Sequence, residues 1–350
     1  MKNSFLIALS LFVIGKKSYP QEDTTQNFLE FKEVVIQNPD NKLADESVEH
    51  TPDLQQLTDK ILSDIPGVTM IKRGNYAQEP TIRGLNNGQI NSTIDGMQIF
   101  GACTDRMDPI SSYVEPNNLS SIDVQMNPDE AAMGSSIGGG FQFKLIKAEL
   151  NSKTRLRGRV GTGFQSNSMA VQTFGGIQWS RKRIAVQINS IYRRASNYKD
   201  GNGQEVAFSQ YEKWNVAGNM ALALHKNHIL YLDYLQDDGR NIGYPALTMD
   251  VSFANAKMGA ISHKYKNVER KFSQLETKLD YSFIDHAMDD TQCPAEMVPM
   301  HMDMPGTSQT FGIFSKGAFR LSEKHLLKIQ INSYQNALHA EMTMYPDNGA

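Results

Sequence analysis

Two short motifs carry most of the chemistry in this sequence. Cys103 and Met107 form a Cys-x-x-x-Met pair within Gly101-Ala-Cys-Thr-Asp-Arg-Met-Asp108, and His286 and Met288 form a His-x-Met pair within Ile284-Asp-His-Ala-Met-Asp289. Thiolate and thioether sulfur favour copper(I) over hard cations such as magnesium or calcium, and imidazole suits copper as well. Zinc rarely takes thioether sulfur. Taken alone, Cys103 and Met107 read more simply as a half-buried thiol and a core thioether. An isolated His286 reads as a polar residue at a rim.

The stretch after His286 adds Cys293, Met297, Met300, His301, Met302 and Met304. These side chains could catch a soft ion and pass it inward, or could simply be exposed on a long loop. The chain has two cysteines, Cys103 and Cys293. In an exported protein such a pair defaults to a disulfide, which competes directly with a metal role for Cys103. Asp105, Arg106, Asp108 and Asp285 lie beside the motifs. They are candidates to orient ligands, although solvated surface charge is the commoner role for such residues.

The elements that must position these residues follow from the rest of the chain. Its 350 residues could make two domains on length alone, and its formal net charge is −3. No basic block stands out, which excludes a nucleic-acid partner. Lys2 followed by the apolar run Phe5 to Ile14 reads as an export signal, too short to span a bilayer as a helix. We expect the signal to occupy residues 1–20, with removal near Tyr19 to Gln21. No later stretch reads as a transmembrane helix. Residues 21–50 are polar and expected to be flexible, except for the β-prone island Glu33-Val34-Val35-Ile36. Such a segment can add itself as a strand to a partner's sheet edge.

From residue 51 to 148 the pattern is α+β. Apolar residues at Leu54, Leu57, Ile61, Leu62 and Ile65 have helical spacing, Thr51 or Asp53 could cap the helix, and Pro66-Gly67 ends it. Short strands follow at Val68 to Met70, Thr81 to Gly84, Ser92 to Gly96 and Ile122 to Val124. A glycine turn over Ser135 to Gly140 then leads into Phe141. The glycine cluster lacks the following Lys-Ser/Thr of a phosphate loop. In this order, Leu62-Ser-Asp-Ile-Pro-Gly-Val68, Ile82-Arg-Gly84, Ile94-Asp-Gly96 and the Gly134 to Gly140 run resemble the plug domain of TonB-dependent outer-membrane receptors. The resemblance implies that Glu33, Val34, Val35 and Ile36 are the TonB box, with TonB and its inner-membrane energising complex as partner.

Residues 149–350 alternate. Ile184, Val186 and Ile188 interleave with Gln187 and Asn189, and Leu327, Ile329 and Ile331 interleave with Lys328, Gln330 and Asn332. One wet face and one apolar face at period two is the pattern of a transmembrane β-barrel set in outer-membrane lipid. A soluble sandwich shows similar alternation, so the assignment leans on the signal and the plug as well. Tight polar turns at Ser180 to Arg183, His225 to His228, Asn267 to Arg270 and Ser322 to His325 alternate with long connections over 195–212, 238–257 and 285–308. About nine strands result, an odd number that cannot close a bacterial barrel, and plugged transporters have about 22. The expected fold is therefore mainly β: an N-terminal α+β plug followed by an antiparallel transmembrane barrel, incomplete here.

On the strand from Gln274 to Met288, the outward set is Leu275, Leu279, Tyr281 and Phe283. The inward set is Gln274, Glu276, Lys278, Asp280 and Ser282, then His286 and Met288. The strand leaves a tight turn and ends at a long loop, so His286 and Met288 belong to the outer end of the lumenal wall. Cys-x-x-x-Met in the plug with His-x-Met in the barrel resembles TonB-dependent copper receptors of the OprC/NosA type. Arg106-Met-Asp-Pro109 and Ile242-Gly-Tyr-Pro-Ala-Leu-Thr-Met-Asp250 fit the same type. The resemblance implies Cys103, Met107, His286 and Met288 as copper ligands, with copper(I) the favoured cargo, imported across a Gram-negative-type outer membrane. Nothing in the sequence suggests a catalytic triad or a hydrolytic carboxylate pair, and no enzymatic activity is expected. The rival readings are a receptor for a siderophore or haem chelate, and a copper-sequestering surface protein without transport.

Overall fold

The computed structural model describes residues 34–37, 57–86, 88–125, 136–267, 270–291, 293, 298, 300–322 and 325–345. The expected signal, Glu33, Thr51, Asp53 and Met297 lie outside them.

Strand β1 (Val34–Gln37) is followed by helix α1 (Thr58–Ser63), β2 (Val68–Lys72), β3 (Gln78–Ile82), β4 (Asn91–Ile94), β5 (Met97–Gln98), β6 (Leu119–Gln125) and β7 (Gly140–Leu145). Leu57 is the N-cap of α1 and offers no side-chain hydrogen bond. The polar residues of its first turn serve neighbouring segments instead. The Thr58 hydroxyl donates to the Val114 carbonyl at 2.7 Å, and Asp59 accepts from the Gln78 amide at 2.9 Å. The five-stranded sheet has the order β1-β6-β7-β4-β5, and β2 pairs with β3 beside it. Two of the expected strand segments end as turns. Arg83-Gly84 and Asp95-Gly96 have φ of 51° and 80°, and of 53° and 78°. Positive φ at two successive residues closes a tight hairpin, and glycine takes it without steric cost.

The second half of the chain is a wall. Strands β8 (Leu156–Gln165), β9 (Ala170–Ser180), β10 (Ile184–Ala195), β11 (Tyr211–His225), β12 (His228–Ile242), β13 (Asp250–Lys266), β14 (Phe272–Asp289), β15 (His301–Arg320) and β16 (Leu326–Ala340) pair with their chain neighbours in one antiparallel sheet. Strand β17 (Thr343–Tyr345) pairs with β15. The turns at 181–183 and 226–227 fall where the sequence puts them, and β13–β14 and β15–β16 are separated at the other two expected positions. The long connections after β12 and β14 are shorter than expected, because those strands run on to Ile242 and Asp289. Strands of this length exceed what a tilted membrane crossing needs, about 9–11 residues. Their outer ends can therefore carry polar side chains while still hydrogen-bonded.

The pattern is apolar out and polar in. Val160, Ile177, Ile188, Ile261, Leu279, Tyr281 and Phe311 are exposed, whereas Asn189, Asn215, Asp233, Asp237, Lys278 and Asp280 are buried. That inverts a soluble domain and suits a wall with lipid outside and a polar lumen. Among the described residues no helix is long and apolar enough to cross a membrane. The core of the N-terminal domain (Leu62, Ile82, Ile94, Ile122, Phe141 and Phe143) continues into Leu235, Ala256, Met258 and Ile284 of the wall. The two halves therefore share one apolar core.

Candidate metal centre

The segment after β5 folds back on itself. Arg106 has a φ of 58°, an uncommon conformation for a residue with a Cβ, and its guanidinium is held by Glu79 at 3.3 Å. The turn sends the Arg106 amide to the Cys103 carbonyl and the Met107 amide to Cys103 Sγ, both at 3.3 Å. Sulfur and thioether therefore lie on the same side of the loop. Pro109 then opens a single 3-10 turn, Ile110–Tyr113, which brings the Tyr113 hydroxyl to Asp108 Oδ2 at 2.5 Å.

The wall supplies the other half. The pleat of β14 turns His286 and Met288 inward, where their exposure falls to 1% and 2%. Cys103 Sγ lies 3.3 Å from Met288 Sδ. Ligand atoms of Cys103, Asp108 and His286 lie within 4.8 Å of one another. Met107, itself 2% exposed, joins Met288 and half-buried Cys103 in an apolar cluster with Tyr244, Met249, Val251 and Ala254. The Tyr244 hydroxyl donates to the Met107 carbonyl, tying the loop to the wall. Opposite His286 on β15 stands Gly306, where a Cβ would lie 2.6 Å from the Ala102 carbonyl oxygen. A residue without a side chain is what permits this approach, one position before Cys103.

Two of these residues each carry a buried polar atom without a partner among the described residues, His286 Nε2 and Asp108 Oδ1. Buried polar atoms are nearly always paired, so orphans call for an explanation. Burial pushes the Cys103 thiol up to about 12; the charge of Asp108 adds to the shift, and the amides of Met107 and Asp105 partly offset it. At neutral pH the thiol keeps its proton until a cation displaces it. One thiol, two thioethers, an imidazole and a carboxylate around one gap form a donor set for a thiophilic metal ion, and copper fits it better than magnesium or calcium.

The structure thus brings Cys103, Met107, His286 and Met288 together. Of the accessory residues, Met302 and Met304 pack against the same cluster, whereas Met300 is exposed. His301 pairs with Asp290 at 3.1 Å, and Cys293 Sγ lies 3.5 Å from Asp250 Oδ2. Both cysteines are free thiols, so the expected competition from a bridge does not arise. Sequence reasoning reached Asp108 only as one of four flanking charges, and it missed Gly306. An acid beside a methionine looks like any surface acid until Tyr113 fixes its direction, and nothing around Gly306 signals a close approach.

A second contact between the halves is ionic. Glu115 meets Arg193 at 2.9 Å and Lys213 at 3.0 Å, and Lys213 reaches Asp237 at 3.1 Å. Burial alone would raise the Glu115 carboxyl, but the charges of Arg193 and Lys213 outweigh it and hold the group below its ordinary range. Lys147 bridges Asp95 at 2.6 Å and Asp233 of the wall at 2.5 Å. At the sheet edge, Val34 and Ile36 of β1 register against Val124 and Ile122 of β6.

Residues 41–141 match the TonB-dependent receptor plug domain. This part of the chain is similar to a receptor plug domain. No curated protein matches the chain by sequence. Among solved structures, the copper transporter OprC superposes with a TM-score of 0.78 at 21% identity, over 91% of this chain and 48% of its own. The hemophore receptor HasR of Serratia marcescens gives 0.68 at 17% identity, covering 89% and 45%. The FrpB iron transporter of Neisseria meningitidis gives 0.67 at 17%, covering 80% and 46%. The chain spans about half the length of each. At these identities the likeness establishes the fold, a plug with part of a TonB-dependent receptor barrel.

Proposed function

We propose that this chain is part of a TonB-dependent receptor that imports copper across an outer membrane, with Cys103, Met107, His286 and Met288 as ligands and copper(I) as the favoured form. The observation that carries the reading is the meeting of two sulfur-bearing motifs from separate domains, with Cys103 Sγ and Met288 Sδ 3.3 Å apart. The imidazole of His286 lies beside them with Nε2 unpartnered. Met302 and Met304 stand at the edge of the cluster and would pass the ion inward, while Cys293, Met300 and His301 sit further out as capture residues. Met297 completes that group in sequence.

The mechanism follows from the division of ligands. TonB pairs with the segment Glu33 to Ile36 and pulls on the plug. Plug movement carries Cys103 and Met107 away from His286 and Met288. The coordination shell is halved and the ion is released inward. The likeness to the copper transporter OprC supports the cargo, although iron and hemophore receptors share the same fold.

The test is direct titration of purified protein with copper(I) under reducing conditions, paired with cellular uptake. One equivalent should bind, and Cys103→Ala should abolish binding. Removal of residues 33–36 should stop uptake while leaving binding intact. Binding of a siderophore or haem that ignores Cys103→Ala would favour a chelate receptor. Uptake unchanged without residues 33–36 would favour a sequestering protein.

A further inference from the structure

We infer that Asp108 is a fifth donor and that it opens the centre, proposed above for copper(I), to a divalent ion. The inference rests on the reading of this gap as a copper site and concerns which charge state it accepts. Asp108 is 2% exposed. Its Oδ2 is fixed by the Tyr113 hydroxyl at 2.5 Å, and its Oδ1 has no partner among the described residues. Its carboxylate shares the 4.8 Å cluster with Cys103 Sγ and a ring nitrogen of His286. No ion pair involving Asp108 is found among the described residues. The nearby cation, Arg106, is turned to Glu79.

Charge counting gives the consequence. Where Asp108 and His286 are buried at 2% and 1% exposure, a net charge on the filled site is costly. The Cys103 thiolate alone neutralises a monovalent ion. Thiolate and Asp108 together neutralise a divalent one, and the hard oxygen is the donor type such an ion accepts more readily than thioether sulfur. Without Asp108, the set of one thiol, two thioethers and one imidazole would leave a divalent ion with uncompensated charge. The carboxylate is held in place by Tyr113, so its position does not depend on the ion.

The experiment compares copper(I) with zinc(II), a divalent probe that cannot oxidise the thiol, by competition titration of the purified protein. Wild type should bind both. Asp108→Asn should lower zinc(II) affinity at least tenfold more than copper(I) affinity. Tyr113→Phe, which releases the anchor and keeps the carboxylate, should shift the ratio in the same direction by less. Equal losses for the two ions in both variants, or no loss in either, would overturn the inference. So would a wild type that binds copper(I) and not zinc(II). A wild type that fails to bind copper(I) would sink the copper reading itself, a result separable from the others.

Discussion

Two of the contacts between plug and wall are chemically opposite. At the ionic contact each charged group has an opposite charge about 3 Å away: Glu115 with Arg193 and Lys213, Lys213 with Asp237, Lys147 with Asp95 and Asp233. Both contacts hold buried carboxylates with one unpartnered oxygen, Asp233 and Asp237 at the ionic contact and Asp108 at the sulfur contact, but at the sulfur contact the neighbours are thioethers, a thiol, an imidazole and a tyrosine. Opposite charges paired across the interface hold the two halves together. Among the described residues, the sulfur and imidazole donors of the other contact make no such ion pair. The contrast separates a charge-paired contact from a soft-donor one, and it generates opposite expectations for substitutions at the two.

The largest expected effect is on the sulfur contact. His286→Ala should weaken copper(I) binding on the order of a hundredfold, about 2.8 kcal/mol, read by competition with a copper(I) chelator. Its unfolding midpoint should barely move. Relief of the orphaned nitrogen, about 1–3 kcal/mol, offsets the cavity left behind. A large fall in stability together with unchanged binding would put His286 on the structural side of the comparison.

Glu115→Ala should do the reverse. It removes the carboxylate shared by two buried cations, Arg193 and Lys213, of which Lys213 keeps Asp237; breaking a buried ion pair by removing one partner costs roughly 3–5 kcal/mol. The measurement is the urea concentration at which the plug becomes accessible to protease. Copper affinity should fall far less than in His286→Ala. If the two variants shift binding equally, the contacts are one cooperative unit and the contrast collapses.

The division between what the sequence revealed and what it hid has the same physical root. The wall was readable because period two and an apolar outer face leave one register for β14, and that register fixes His286 and Met288 inward. Leu279 and Tyr281 are exposed and Lys278, Asp280 and Ser282 buried, as alternation requires. The outer ends of β12 and β13 read as loop because residues such as Asp238 and Arg240 are polar, yet their backbones remain paired. The plug's ligand loop has no period to read. The Cys-x-x-x-Met spacing announces two sulfur atoms, but their common side depends on the left-handed Arg106 and its Glu79 partner, twenty-seven positions away in sequence. Asp108 gains its direction from Tyr113, and Arg83-Gly84 and Asp95-Gly96 are turns whose flanking residues have strand propensity.

The smallest expected effect sharpens the comparison most, because it touches no ligand. Gly306 faces His286 across the β14–β15 ladder, and its φ lies outside the left-handed region, so alanine is compatible with the backbone there. Strand stability should therefore hardly change in Gly306→Ala. The new Cβ would nevertheless sit 2.6 Å from the Ala102 carbonyl oxygen, and backbone cannot yield as a flexible side-chain tip does. The plug loop must retreat, carrying Cys103 away from Met288 and His286. Metal geometry tolerates little such change, since ligand distances hold within about 0.2 Å. Copper(I) affinity should fall about tenfold, or roughly 1.4 kcal/mol, with the protease resistance of the plug unchanged, because the Glu115 contact is untouched. A variant that binds as wild type would show that loop position is set by the ion pairs rather than by this approach. The sulfur contact would then be a consequence of docking and not an independent half of the interface.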